Sequence, residues 1–134
     1  MTEVQFAEDV LARIRAREER YHERAYLFML AAIEFLQVKL PERRHVSGAE
    51  LACACRDLAL QQYGLLAPAV LAYWGVVTTR DFGRIVFTLI DVKLLSAQPT
   101  DRLEDFDAIY EFDDAFSPTQ VWAGVNVPGV ARGS

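Results

Sequence analysis

Few residues in this chain stand at spacings that could do chemistry. Cys53-Ala54-Cys55 is the first such group. If the segment is helical, side chains two positions apart point about 200° away from each other, so the pair cannot chelate one ion. A second cysteine pair is missing, and His22 and His45 do not stand at ligand spacing, so small buried hydrophobes are the simpler identity for both thiols. No metal or cofactor is called for. Nucleophilic catalysis has equally little support, because no serine sits in a G-x-S-x-G elbow and neither cysteine has a histidine close in sequence.

Arg43-Arg44-His45, just ahead of Ser47, is the best polar candidate. Two guanidiniums, free backbone amides and the positive end of a helix dipole would suit an anion, so Arg43, Arg44, His45 and Ser47 form the anion-binding candidate. The plainer alternative is a solvated basic loop. Asp101 to Asp114 holds seven acids against Arg102 alone, but calcium by an EF-hand route is rejected: the sixth position is Phe106 and the twelfth is Phe112. A site assembled from distant residues such as His22, His45, Asp81 and Arg84 would make the chain a small enzyme, and only a shared pocket would reveal it.

The frame that must position these residues is set by composition. The chain has 134 residues, 52% of them hydrophobic, and a net charge of −5. That length suits one domain, and that apolar content argues against disorder. The richest apolar stretch, Ala25 to Ile33, is nine residues long, short of the roughly 20 a bilayer needs. The first residues, Met1-Thr2-Glu3-Val4, do not read as a secretory signal. With two cysteines only, the expected location is the reducing cytoplasm. An acidic chain repels phosphate backbones, although Arg13 to Arg24 holds five arginines against Glu18, Glu19 and Glu23.

Helix signals dominate the pattern. Thr2 with Gln5 can box a first helix whose Phe6, Val10, Leu11 and Ile14 share a face. A second runs from about His22 to Leu40 and stops before Pro41. Tyr26 to Ile33 is apolar on every side, which places that helix at the centre of the fold. Ser47 and Glu50 form a capping box, with Val46 and Leu51 as its staple. This third helix carries Leu51, Cys55, Leu58 and Ala59 inward and stops at Gly64. A short fourth helix has Pro68 in its first turn, Val70, Leu71 and Trp74 on its apolar face, and Gly75 at its end. Thr78 and Asp81 box the fifth helix, with Val77 and Phe82 as staple. It buries Phe82, Ile85, Val86 and Leu89 and continues until Pro99-Thr100-Asp101. Helices three to five could imitate a helix-turn-helix, but the fifth offers only Arg80, Arg84 and Lys93 around a broad apolar face. Residues 101 to 116 mix acids with Phe106, Tyr110, Phe112 and Phe116, part of them helical with Asp101 and Glu104 as the cap. Residues 117 to 134 are broken by Pro118, Gly124, Pro128, Gly129 and Gly133, with Val121-Trp122 placed to pack back.

Ala25-Tyr26-Leu27-Phe28, the run Arg44 to Leu51, Tyr73-Trp74-Gly75-Val76 with the run Thr79 to Phe87, and Glu104-Asp105-Phe106 through Phe116 together resemble a family of short bacterial proteins of unknown function, described as restricted to the verrucomicrobial and planctomycete lineages. The resemblance spans roughly Tyr21 to Phe116, and W-G-x-x-x-T-x-D-F-G is its most specific part. It implies no activity and no site residue.

The expectation is therefore all-α: a compact bundle of about five helices over residues 1–116, with the aromatic and acidic C-terminal segment packed on it and a partly docked tail at 117–134. The leading function is a non-catalytic protein-binding or scaffold module, self-association included, for which Trp74, Phe106, Tyr110, Phe112 and Trp122 are the interaction candidates. The alternatives are a nucleic-acid-associated protein using the arginines of Arg13 to Arg24 and Arg43-Arg44, and the small enzyme above.

Overall fold

Two apolar helices, α2 (Glu23–Gln37) and α5 (Thr79–Asp91), pack against each other in the middle of the fold. The computed structural model describes residues 2–118, with side chains from Val10 onward. Around this pair lie α1 (Thr2–Arg17) against α5, α3 (Gly48–Tyr63) against α2, and the short α4 (Ala67–Tyr73) against α3. A 3-10 turn at Gly64–Leu66 joins α3 to α4. A second 3-10 turn, Leu103–Phe106, and the one-turn α6 (Phe112–Ala115) close the layer. No strand occurs among the described residues, and none of their helices is long and apolar enough to cross a membrane. The expected all-α bundle is the observed one.

The core is shared by all these elements. Tyr26, Met29 and Ala32 of α2 meet Phe82, Ile85 and Leu89 of α5, and Leu51, Cys55 and Leu58 of α3 close on them. Cys55 sits beside Met29 at 3.8 Å between sulfurs, and burial pushes its thiol pKa up. It packs as a small hydrophobe. Val10 and Ile14 bury the inner face of α1.

Local rules explain most boundaries. His22 caps α2, its Nδ1 accepting from the Arg24 amide at 3.1 Å. The Ser47–Glu50 box closes in both directions at 2.9 and 3.1 Å. Helix α4 ends in a Schellman motif: the Gly75 amide donates to Ala72 O, the Val76 amide to Leu71 O, and Gly75 takes φ +93°. A side chain at Gly75 would also meet Arg20 O at 2.9 Å.

Four expectations need correction. Helix α5 stops at Asp91, well before Pro99. The reason is a second Schellman motif, with Lys93 donating to Ile90 O, Leu94 to Leu89 O, and Lys93 itself left-handed at φ +67°. Leu94 thereby folds back on the core instead of continuing outward. Helix α2 is not enclosed on every side, because Leu27 and Ala31 face out. Val77 is exposed and staples nothing, whereas Val46 does pack on the core beside buried Leu51. The cap at the second 3-10 turn lies one residue later than expected: Arg102 N donates to Asp105 Oδ2, while Asp101 instead accepts from Gln98 N.

The C-terminal segment docks as anticipated, and the device that seats it is a notch between two glycines. Gly48 at the start of α3 and Gly83 in α5 leave room for Phe106. A methyl group on Gly48 would meet that ring at 3.1 Å, and one on Gly83 at 2.8 Å. Tyr110 donates to Ala52 O at 2.7 Å, Ile109 N to Thr79 Oγ1 at 3.2 Å, and Arg80 grips Asp107 with both carboxylate oxygens at 2.8 Å. Phe82, Phe112, Tyr110 and Phe116 then form a continuous ring cluster.

Candidate functional site

The loop before α3 lines a cavity of about 210 Å³. Its floor is apolar, with Ile33 of α2, Leu51 of α3, Val86, Phe87 and Ile90 of α5, and Phe106. Its rim is polar and comes from two loops: Arg44, His45 and Ser47 on one side, and Ser96, Asp101, Arg102 and Asp105 on the other. His45 Nε2 lies 3.0 Å from Asp101 Oδ1 and ties the two loops together.

The anion candidate is weakened by this geometry. Arg43 is held by both oxygens of Glu34 at 3.0 Å, and Arg44 by both oxygens of Glu50 at 3.3 and 2.8 Å. The Arg44 hydrogen bonds, with the Ser47 amide, draw the Glu50 pKa down to about 2. The Ser47 oxygen is occupied by the Glu50 amide. Each guanidinium therefore meets its carboxylate inside the chain, and an anion would have to displace one. Of the five arginines from Arg13 to Arg24, two are similarly engaged, Arg15 with Glu23 and Arg17 with Asp91 at 3.4 Å, while Arg13, Arg20 and Arg24 form no ion pair among the described residues. Pairing therefore thins the cations of that segment available to a phosphate backbone without removing them.

The residues of the distributed enzyme site do not converge. Asp81 and Arg84 meet at 3.0 Å, His22 packs at a tilt beside Tyr73 with ring centroids 5.7 Å apart, and His45 lies at the cavity described above, whose lining includes neither Asp81 nor Arg84. Asp81 is buried. Burial alone would raise its pKa, but Tyr21 OH, the Val77 and Thr78 amides, and Arg84 all donate to it and hold it below its ordinary value. Burial and this carboxylate push the Tyr21 hydroxyl up to about 12. Such a fully satisfied carboxylate has no oxygen to spare for a substrate. It joins the start of α2 to the turn before α5.

W-G-x-x-x-T-x-D-F-G accordingly reads as a structural motif. Trp74 packs on Phe28 and Tyr63, Gly75 makes the left-handed cap, Thr79 receives Ile109, Asp81 forms the knot, Phe82 fills the core and Gly83 seats Phe106.

No family model, curated protein or solved structure matches the chain. Its functional reading rests on its own residues.

The aromatic interaction candidates are corrected by burial. Trp74 and Phe106 are 5% and 4% exposed, Tyr110 and Phe112 are half-buried in the ring cluster, and Trp122 lies outside the described residues. Rings on a small domain are the cheapest way to fill its core, and here they do so. The exposed large hydrophobics are different residues: Leu27 (54%) and Val38 (69%) on and just after α2, and Leu65 (59%), Leu66 (66%), Tyr73 (77%) and Val77 (59%) around α4. Leu66, Ala69 and Tyr73 are spaced by three and four, so they lie along one outward face of the 3-10 turn and α4. The opposite face of α4 buries Ala67 and Leu71. The signal for this face is in the sequence: from Leu58 to Thr79 no residue carries a charge, and the flanks are Asp57 and Arg80.

Proposed function

We propose that this chain is a non-catalytic protein-binding module that associates through the outward face of α4, with a second copy of itself as the partner. The observation that carries the reading is the uncharged run Leu58 to Thr79 with Leu65, Leu66, Tyr73 and Val77 open to solvent. A helix that is apolar on both faces at the surface of a small domain calls for a cover. Two chains of net charge −5 repel each other, and a face free of carboxylates is where they can approach at least cost. A patch centred on one short helix is also readily self-complementary about a two-fold axis. The internal pairing of Arg15, Arg17, Arg43 and Arg44 and the dispersal of His22, His45, Asp81 and Arg84 favour this reading over nucleic-acid binding and over catalysis.

Sedimentation velocity over a concentration series is the test, comparing the native chain with Leu66→Glu and Tyr73→Glu. The native chain should dimerise at micromolar concentration, and both variants should sediment as monomers with unchanged circular dichroism. A native chain that stays monomeric at several hundred micromolar would overturn the proposal.

A further inference from the structure

The cavity beneath the His45–Asp101 tie is unexplained by the α4 face, and its chemistry defines an occupant. An apolar cavity of about 150 Å³ is enough to take a benzene ring. At about 210 Å³ this one, open on its rim side, has room for a single ring and a short substituent. Phe87 and Phe106 in the lining offer ring edges and faces, and Val86 and Ile90 complete an aliphatic bed.

The rim decides the polarity of the substituent. Arg44 is balanced by Glu50 and Asp101 lies against His45, so one cation, Arg102, and one carboxylate, Asp105, are left on the rim. Three of the rim groups are already committed: Arg44 to Glu50, Asp101 to His45 and Gln98 N, and Asp105 to Arg102 N. The Ser96 hydroxyl and the Arg102 guanidinium make no hydrogen bond to another side chain among the described residues, which leaves donors and an acceptor for one polar group. A ligand carboxylate would face Asp101 and Asp105, and a ligand ammonium would face Arg44 and Arg102. Either would also lose its hydration over an apolar floor.

We infer that this cavity is a binding site for an uncharged, hydrogen-bonding molecule built on one six-membered ring, of the phenol class. The ring lies between Phe87, Phe106 and Ile90, and its hydroxyl points to the rim at Ser96 and Arg102.

Phenol, benzoate and benzylamine, titrated separately into the full-length chain and followed by amide chemical shifts, test the inference. Phenol should bind saturably, shifting the amides of Val46, Gly48, Leu95, Ser96 and Phe106, and should bind about ten-fold more tightly than either charged probe. Ile90→Trp, which fills the cavity from α5, should abolish the phenol shifts. Absence of saturable shifts with phenol, shifts confined to residues 65–77, or tighter binding of benzoate or benzylamine would each overturn it. No residue of α4 lines the cavity, and the same shifts can be read in the Tyr73→Glu chain, so the two proposals fail separately.

Discussion

Replacing Gly83 by alanine sets two effects against each other, and the structure decides between them. Alanine in a helix interior is favoured over glycine by about 0.8–1.0 kcal/mol. The added methyl carbon, however, would lie 2.8 Å from Leu103 Cδ1, 2.8 Å from Phe106 Cδ2 and 2.9 Å from Phe106 Cγ. Carbon atoms rest at about 3.5–4.0 Å, so the ring must leave the notch or α5 must shift, and overpacking of this kind costs about 1–3 kcal/mol. The net effect should be a loss of up to about 2 kcal/mol, by the same two ranges. Phe106→Ala alone removes a 4%-exposed ring and should cost about 3–5 kcal/mol. In the double variant two of the three close contacts vanish, and the third is the mobile end of Leu103. Gly83→Ala should then be neutral or stabilising, giving a coupling of about 1–3 kcal/mol between the two positions. Urea denaturation of the four proteins, followed by circular dichroism, measures it. If the double variant equals the sum of the singles within about 0.5 kcal/mol, or if Gly83→Ala alone stabilises, Phe106 does not depend on a bare backbone at Gly83.

Four further outcomes follow from local geometry. Lys93→Gly should stabilise the chain by up to about 1 kcal/mol in thermal or urea melts, because the Schellman cap of α5 demands the left-handed conformation found at φ +67°; a loss of stability would mean the lysine side chain contributes more than the strain costs. Tyr26→Phe should be neutral or slightly stabilising in the same melts, since its buried hydroxyl has no hydrogen-bond partner among the described residues and its removal ends a desolvation cost of about 1–3 kcal/mol. On the acid side, Asp81 and Glu50 have lower pKa values folded than unfolded, so their contribution is present above the ordinary carboxylate range and is lost as pH falls below it, for Glu50 through about 2 and discounted for its partly exposed carboxylate. Asp81→Asn should flatten that slope in urea melts between pH 5 and 3. On the alkaline side burial raises Tyr21 and Tyr26 to about 12, so the folded state loses stability as pH climbs above 10, and tyrosinate absorbance should lag behind that of the unfolded chain.

The helices and most of their ends were legible in the residues. Ser47 with Glu50 and Thr78 with Asp81 announce two starts, because a capping box is satisfied by four consecutive residues and needs no distant partner. Gly64 and Gly75 mark two ends for the same reason. The buried stripe of α5 and the central place of α2 follow from which positions are apolar. The end of α5 was not legible, because a lysine there occupies a conformation usually left to glycine. What imposes it is Leu94 turning back onto the core.

Tertiary structure alone decided which polar and aromatic residues remain free to act. Arg43 and Arg44 read as an anion site until Glu34 and Glu50, nine and six residues away, are seen to hold them. Trp74 and Phe106 read as contact residues until three-dimensional packing turns them inward and leaves Leu65, Leu66 and Tyr73 outside. Periodicity reports the face of a helix, but which face meets the rest of the chain depends on contacts far apart in sequence. The cavity shows the same dependence: it draws on α2, α3, α5 and two loops, and no local pattern could have brought His45 to Asp101 across fifty-six positions.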